Sequence, residues 1–425
     1  MQASAAAELP APSITTGRGF QLVLLVIAAC AGAYARTAVS PLQETMRLAL
    51  HFSDNELALL QGPALALPFV LLSVPLGICI DRFSRVRLML AVTALDVLST
   101  LLTAAAPSFQ LLFVARCLAG LAAFAISPIV LSLAADLYAP AQRGRATMAI
   151  AIGQFAGMSA AFALGGMLMT SFGPGPTGWR WATVWLTVPL GIAMALILGA
   201  REPPRTEVLV ANPSGREVMT ELWKYRYVIL PLIIGIILLE IGLGALLVWT
   251  APTLSRNFAM PADRAGAIVA TGLALSGVFG PIAGGVLADL CQRSGGPRRT
   301  LALLVSLSII TLPTCLFAAS PSVVLISALF TALMTSIGAL LVAASAMFMV
   351  IIPGELRGLC MGMLAGICVL FGIGVAPLTT SVLSAVMGGT AMIGNALTIV
   401  CVATTLLAGL SFALGRMYYR EPHAS

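Results

Sequence analysis

Long apolar stretches recur along almost the whole of this 425-residue chain, and they constrain its fold more than any other feature. Twelve of them reach the length of about 20 residues that a helix needs to cross the hydrocarbon core of a bilayer. Hydrocarbon offers no hydrogen bonds, so a spanning backbone must satisfy its own polar groups, and these stretches lack the alternation of barrel strands. The sequence therefore predicts an all-α transmembrane protein with twelve spanning helices.

The predicted spans leave room only for short connections. Their bounds are 20–42, 57–80, 88–106, 111–137, 146–170 and 181–200 in the first half of the chain, and 227–250, 265–288, 301–319, 323–352, 359–387 and 391–414 in the second. We therefore expect an N-terminal tail (1–19), a six-helix bundle (20–200), a central linker (201–226), a second six-helix bundle (227–414) and a C-terminal tail (415–425). The linker is the longest polar connection.

The distribution of basic residues predicts the orientation of the chain in the membrane. Of the 23 lysines and arginines, 17 lie in the tails and in the connections after even-numbered spans, four lie on the other side, and two lie inside spans. Positive charge is retained on the cytoplasmic side, so both termini are expected in the cytoplasm, with the bacterial inner membrane as the location. The net charge of +7 is then explained by loops that face anionic lipid, without nucleic acid.

Two sequence patterns occur once in each half of the chain. Gly77–Arg87, after the second predicted span, is echoed by Gly285–Arg293 after the eighth. Pro140–Gly144, after the fourth span, is echoed by Pro353–Gly358 after the tenth. Echoes at corresponding positions are typical of transporters built from repeats, and they predict two six-helix bundles related by a pseudo-two-fold axis.

These patterns resemble those of the major facilitator superfamily. Gly77–Arg87 is similar to the loop signature of that family, with Ser84 in place of the usual second glycine. Arg116–Gly120 resembles its buried arginine motif, and Gly178–Trp181 resembles the start of its sixth span. The resemblance implies a monomeric secondary transporter that moves a small organic solute by alternating access, with no cofactor and no bound metal.

A narrower resemblance is to the spinster-like branch, which is implicated in lysophospholipid and sphingolipid transport. Arg201–Arg205 and Tyr34–Arg36 carry it. Ala35 and Ala123 stand where that branch usually has acidic residues expected to carry protons. Either the chain is an outlying member with altered coupling, or the resemblance is to the superfamily alone.

The resemblance also implies a cytoplasmic latch that holds the two halves together when the inside is closed. In this reading Asp81 lies at the positive end of the eleventh span and pairs with loop arginines. The alternative is a basic loop that only sets topology. The latch residues would be Gly77, Asp81, Arg82, Arg85 and Arg143 in the first half, and Gly285, Asp289, Arg293 and Arg357 in the second.

Arg36 and Arg116 lie inside the first and fourth predicted spans. An arginine at membrane depth costs at least a few kcal/mol unless it faces water or a partner, so both should point inward. The resemblance implies that these spans line the central cavity, where Arg36, Arg116 and Tyr34 would serve substrate binding or gating. Guanidinium groups there would suit a carboxylate, phosphate or sulfonate. The alternative for Arg116 is a structural arginine bonded to helix carbonyls.

Glu240 and Asp96 are the candidates for proton coupling. Glu240 lies well inside the seventh predicted span, and Asp96 lies inside the third. A carboxyl group shielded from water holds its proton more readily, which a proton-coupled carrier requires. Each residue could instead be structural, hydrogen-bonded to a neighbouring helix or paired with an arginine.

The sequence offers nothing that favours an enzyme. It contains no P-loop, nucleophile elbow or metal-ligand spacing, and its eight cysteines are scattered. The energy source would therefore be an ion or solute gradient, with H⁺ as the candidate ion. Membrane lipid is expected to surround the protein. We expect an organic anion as substrate; lysophospholipid-like or sphingolipid-like amphiphiles, or hydrophobic drugs, are the alternative, and a non-transporting receptor on the same fold is a second one.

Overall fold

The protein is helical throughout the part of the chain that can be described. The computed structural model describes residues 15–138, 140–173, 175–204, 226–352 and 357–419, and these residues contain no β-strand. Eleven helical segments there are long and apolar enough to cross a membrane. One of them, Ala262–Ala319, is 58 residues long and is interrupted by non-helical backbone at Gly295 and Gly296, so it forms two spans. The prediction of an all-α transmembrane fold with twelve spans is confirmed.

The spans are numbered 1 to 12 in chain order. Span 1 is Thr15–Thr37, span 2 is Asp54–Gln61 with Pro63–Arg82, span 3 is Arg85–Ala105, span 4 is Phe109–Leu137, span 5 is Pro140–Phe172, and span 6 is Gly178–Trp185 with Thr187–Ile197. Span 7 is Arg226–Asn257, spans 8 and 9 share Ala262–Thr311 and continue into a 3-10 helix at Leu312–Ala319, and span 10 is Val323–Ile351. Span 11 is Arg357–Cys368, a π-helix at Val369–Val375 and Ala376–Met387, and span 12 is Ile393–Tyr418. A short helix, Gln43–Leu50, lies between spans 1 and 2.

Most spans have one buried side and one exposed apolar side, and spans 1 and 7 are buried over much of their length. Leu71, Val74, Val324 and Val386 are all more than two-thirds exposed, whereas Trp179 and other large side chains on inward faces are fully buried. Exposed apolar side chains of this kind suit a hydrocarbon solvent. The burial pattern therefore agrees with helices that pack on each other and present their outer sides to lipid.

Two spans are irregular where they meet. Span 2 breaks at Gly62, which precedes Pro63, and span 11 changes from α-helix to π-helix at Val369–Val375. A Cβ atom at Gly62 would stand 2.7 Å from the carbonyl oxygen of Gly374, so only glycine allows this close approach. Irregular backbone inside a membrane is tolerated where it faces protein or a cavity, and π-helical turns are frequent at functional sites.

The two halves, spans 1–6 and spans 7–12, pack on each other mainly through spans 5 and 8. A Cβ atom at Gly166 would stand 2.5 Å from the carbonyl oxygen of Ala262, and Ser159 donates a hydrogen bond to the carbonyl oxygen of Ala270 at 2.8 Å. Most of the central linker, both predicted tails except residues 15–19 and 415–419, and residues 353–356 of the Pro353–Gly358 echo lie outside the described residues.

Candidate functional site

A small cavity lies between the two halves, where the break in span 2 faces the π-helix of span 11. Its volume is about 30 Å³, which holds one or two water molecules but no organic solute. Its polar lining comes from the first half: Arg36, Thr37, Ser40 and Gln61. The other lining residues are apolar: Leu65, Phe124, Gly244, Leu247, Val248, Gly372, Ile373 and Pro377.

Arg36 is the charged residue that lines this cavity. Its Nη2 donates a hydrogen bond to the sulfur of Met158 at 3.4 Å, and its guanidinium lies 5.4 Å from the centre of the Phe124 ring. Its buried Nε has no hydrogen-bond partner among the described residues. A thioether and an aromatic face are weak partners for a cation, so the guanidinium retains capacity to bind an anion.

Arg116 lies one layer behind the cavity and is only 2% exposed. Its Nη2 donates to Oε1 of Gln61 at 2.7 Å and to the backbone carbonyl of Arg36 at 3.2 Å. It therefore reaches the cavity through Gln61 and does not line it. One of these two hydrogen-bond acceptors is a helix carbonyl, as expected for the alternative in which Arg116 is a structural arginine.

The two acidic candidates occupy different places. Glu240 lies one turn from the cavity residue Gly244, with its side chain against Gly372, and its charge interacts with that of Arg36. Asp96 is fully buried within the first half, and its charge interacts with that of Arg116. In the part of the chain that the structure describes, neither of its carboxylate oxygens has a hydrogen-bond partner. Glu240 is therefore next to the cavity, whereas Asp96 is separated from it by Arg116.

Tyr34 is 3% exposed and does not line the cavity. Its hydroxyl donates to the carbonyl oxygen of Leu186 at 3.1 Å, at the point where span 6 is interrupted. This contact satisfies a carbonyl at the helix break. Tyr34 thus ties span 1 to span 6 in this structure.

Sequence reasoning missed a pair of glutamines beside the cavity. Gln61 donates through Nε2 to Oε1 of Gln43 at 3.0 Å and, more weakly, to Oγ of Ser40 at 3.5 Å. Gln43 in turn donates to the backbone carbonyl of Val248 in span 7. These bonds connect the polar interior of the first half to the backbone of the second. The available signal was that Gln61 lies inside the second predicted span and Gln43 directly follows the first, where a polar side chain needs a partner.

A second missed feature is an ion-pair cluster at one face of the membrane. Arg256 of span 7 donates two hydrogen bonds to Glu44, at 2.7 and 2.9 Å, and two to Asp54, both at 2.8 Å. Arg47 also pairs with Glu44, at 2.8 Å. We name Arg256, Glu44, Asp54 and Arg47 the Arg256 cluster and their side of the membrane the Arg256 face. The cluster joins the two halves there.

Most residues of the predicted latch lie at the opposite face, which we name the Asp81 face. Asp81, Arg82, Asp289 and Arg293 are exposed, and neither aspartate makes an ion pair with a described residue. Gly77 and Gly285 have open space where a Cβ would stand. Arg143 donates to the carbonyl oxygen of Tyr138 at 3.3 Å, and the side chain of Arg357 lies outside the described residues.

Arg85 differs from the other latch candidates because it is buried and paired within the first half. It contacts Asp136 at 2.5 Å and Glu202 at 2.9 Å. Glu202 also accepts hydrogen bonds from the amides of Arg85 and Val86 and from the Ser84 hydroxyl, at the start of span 3. Burial alone would raise the pKa of Glu202, but these hydrogen bonds lower it to about 2. The beginning of the predicted linker is thus bound to the first half.

The described residues contain no cluster of three or more His, Cys, Asp or Glu side chains that could hold a metal ion. The chemistry that the cavity residues offer is electrostatic and steric. A guanidinium faces a mostly apolar cavity between two halves, and an acidic residue lies one turn away. Arg36 can bind an anionic group in such a cavity, and protonation of Glu240 changes the charge beside it.

Comparisons with known proteins agree with this architecture. A model of the Major Facilitator Superfamily matches residues 25–251 of the chain. A triacylglyceride transporter from Mycolicibacterium hassiacum is 32% identical over 203 residues, which are 41% of this chain and 35% of that protein. The match thus spans about a third of the length of this curated relative.

Two solved structures show the same fold. A bacterial homologue of the human lysosomal transporter Spinster, in an inward-facing occupied conformation, has 22% identity and a TM-score of 0.78, with 95% of this chain and 99% of that chain covered. The nucleoside transporter NupG has 12% identity and a TM-score of 0.70, with 95% and 99% covered. At these identities the similarity concerns the fold.

Proposed function

The chain belongs to the major facilitator superfamily, and from that premise we propose that it is a secondary active transporter that carries a small organic anion by alternating access. It is an integral membrane protein with many spans, as the sequence predicted. The observation that carries the choice of an anion is Arg36. Its guanidinium lines the cavity between the halves, and among the described residues its side-chain contacts are a thioether and an aromatic ring, with the charge of Glu240 nearby.

Glu240 is the proposed proton carrier. Its charge interacts with that of Arg36. An ionised Glu240 competes with a substrate anion for Arg36, and protonation removes that competition. Proton binding and anion binding would then favour each other, as cotransport of an anion with H⁺ requires. Asp96 is the second candidate, and it would act on the cavity through Arg116.

We further propose that the Arg256 face is extracytoplasmic and the Asp81 face cytoplasmic, in the bacterial inner membrane. The excess of arginine near Asp81 supports this orientation. The Arg256 cluster then closes the outside, and the exposed Asp81 and Asp289 belong to a latch that forms when the inside closes. As closure alternates between the Arg256 face and the Asp81 face, the cavity of about 30 Å³ must expand to admit a solute.

An amphiphilic substrate is the second candidate function. The lining is apolar apart from the Arg36 side, and Phe124, Leu247 and Ile373 could contact a hydrocarbon tail while Arg36 binds a headgroup. The relative named as a triacylglyceride transporter supports this alternative.

A thermal-shift screen of organic acids and lysolipids at two pH values tests the proposal. We expect organic acids to raise the melting temperature of the wild type and not of Arg36→Gln, because that variant removes the charge that binds the anion. Arg264→Gln is the matched control, since Arg264 is exposed and does not line the cavity. Lysolipids that stabilise Arg36→Gln almost as well as the wild type would favour the amphiphile, and organic acids that stabilise both proteins equally would refute the proposal.

The same screen tests the proton carrier. Binding of an acid to the wild type should weaken at high pH, where Glu240 is ionised, and this dependence should be absent in Glu240→Gln. A ligand whose stabilisation is independent of pH in both proteins would remove Glu240 from the mechanism. A ligand that binds but is never exchanged across a membrane would indicate a receptor.

A further inference from the structure

The two glutamines beside the cavity form one continuous chain of hydrogen bonds that begins at Arg116. Arg116 donates to Oε1 of Gln61, Nε2 of Gln61 donates to Oε1 of Gln43, and Nε2 of Gln43 donates to the carbonyl oxygen of Val248. We name Arg116, Gln61, Gln43 and the Val248 carbonyl the amide chain. Gln43 and Gln61 are 1% and 2% exposed, so water does not replace these bonds.

The charge of Arg116 sets the direction of every bond in the amide chain. A guanidinium has donors and no acceptor, so Gln61 must turn its carbonyl oxygen toward Arg116. Its amino group then faces Gln43, which accepts with its own oxygen and is left with its amino group for Val248. The first bond is charge-assisted, and each bond polarises the next.

The last bond of the amide chain crosses from the first half to the second at the wall of the cavity. Val248 and Gln61 line the cavity, and Arg256 lies eight residues further along span 7, about 12 Å nearer the membrane face. A solute that leaves the cavity toward the Arg256 face must therefore separate Gln43 from Val248 before it reaches the Arg256 cluster.

We propose that the amide chain is the inner gate toward the Arg256 face and that Arg116 and Gln61 are positioning residues, which hold Gln43 in the orientation that closes it. This inference rests on the proposed transport function, since a gate requires two halves that move apart. It assigns Arg116 a task other than direct binding of the substrate anion.

Substitutions that reverse or restore the bond direction test the gate. Gln61→Glu still accepts from Arg116 but has no N–H to donate, so its carboxylate faces Oε1 of Gln43 and repels it. The Gln43 amide must then turn its amino group toward the carboxylate, which takes that group away from the Val248 carbonyl. Adding Gln43→Lys supplies an ammonium that donates to both. Gln43→Met removes the link to Val248 without a new charge and serves if Gln61→Glu fails to fold. Gln154→Met is the matched control, because Gln154 donates to Ser127 within the first half.

The readout is the distance between two spin labels at the Arg256 face, measured by double electron–electron resonance without solute. Labels attach to ketone-bearing residues at the exposed positions Gln110 and Ser322, one in each half, so the eight native cysteines stay untouched. All variants carry Arg256→Gln, which weakens the Arg256 cluster so that open and closed states are both populated.

Gln61→Glu and Gln43→Met should each raise the open-to-closed ratio about fivefold, as the loss of one hydrogen bond implies. In the Gln61→Glu/Gln43→Lys protein the open-to-closed ratio should return toward that of the Arg256→Gln parent. In Gln154→Met the ratio should equal that of the parent. An unchanged ratio in Gln61→Glu and Gln43→Met, no return in the double variant, or an equal rise in Gln154→Met would overturn the gate. Because no solute is present, this outcome is independent of whether the protein carries an organic anion.

Discussion

Replacing Arg256 by glutamine should open the Arg256 face. Arg256 makes four hydrogen bonds to two carboxylates of the other half, and the side chains of Arg256, Glu44 and Asp54 are 11%, 21% and 8% exposed. Arg256→Gln removes the positive charge between Glu44 and Asp54. Arg47 still pairs closely with Glu44 but lies 3.9 Å from Asp54. The two carboxylates are then left close together, and the contact of Arg47 with Asp54 is weak.

The magnitude follows from the exposure of these side chains. Exposed ion pairs contribute about 0–1 kcal/mol, and breaking a buried pair costs about 3–5 kcal/mol. The cluster lies between these limits, so we expect a loss of about 1–3 kcal/mol from the closed state, which is roughly a 5- to 150-fold change in the open-to-closed ratio.

The assay is the spin-label distance between positions 110 and 322 in the otherwise wild-type protein. Arg256→Gln should populate longer distances, whereas Arg264→Gln, which removes an exposed arginine of the same face, should not. Added salt should shift the wild type in the same direction, because it screens the partly exposed pairs. An unchanged distribution in Arg256→Gln, or an equal change in Arg264→Gln, would refute the reasoning.

Two further predictions concern stability. Because the folded-state pKa of Glu202 is depressed to about 2, its stabilising contribution is complete above the unfolded value of about 4.3 and is lost as the pH falls through about 2. The difference in melting temperature between wild type and Glu202→Gln should therefore shrink from pH 5 toward pH 2, and a constant difference would contradict this account. A Cβ at Gly244 would stand 1.6 Å from the carbonyl oxygen of Gly372, so Gly244→Ala should destabilise by about 1–3 kcal/mol or more. Gly191→Ala, which meets nothing within 4 Å, should be neutral or slightly stabilising, and equal melting temperatures for the two variants would show that the helices adjust freely.

The spans were predictable from sequence because hydrocarbon permits few alternatives to a helix. Span 10 was predicted at 323–352 and is Val323–Ile351. The first span was predicted to reach residue 42, but its helix ends at Thr37, before a 3-10 turn that contains Pro41. Pro41 has no N–H to donate to the carbonyl of Thr37, four residues earlier, and its ring would clash with that carbonyl, so the α-helix ends there.

The irregular backbone at the cavity was not predicted. Nothing in Val369–Val375 identifies a π-helix, because the sequence is apolar like its surroundings. The close approach of Gly62 to Gly374 depends on how spans 2 and 11 pack, and their residues are about 300 positions apart in the chain.

The candidate site was predictable only in part. Arg36 and Glu240 were found because a charge inside an apolar stretch is conspicuous. The Arg256 cluster was missed because Arg256 is 202 residues from Asp54 and 212 residues from Glu44 in the chain. All three residues also lie at the end of a span or between spans, where charges are ordinary. Gln43 and Gln61 carry no charge, and their importance follows from a bond to a backbone carbonyl that no sequence pattern encodes.

Counterflow in proteoliposomes tests the central claim most directly. Vesicles that contain the protein are loaded with an unlabelled organic acid from the thermal-shift screen, and uptake of the same acid in labelled form is followed from outside. We predict transient accumulation with wild type and with Arg264→Gln, and its loss with Arg36→Gln. Exchange by Arg36→Gln at the wild-type rate, or no exchange of any acid that binds, would contradict the claim that the cavity carries an organic anion on Arg36 from one side of the membrane to the other.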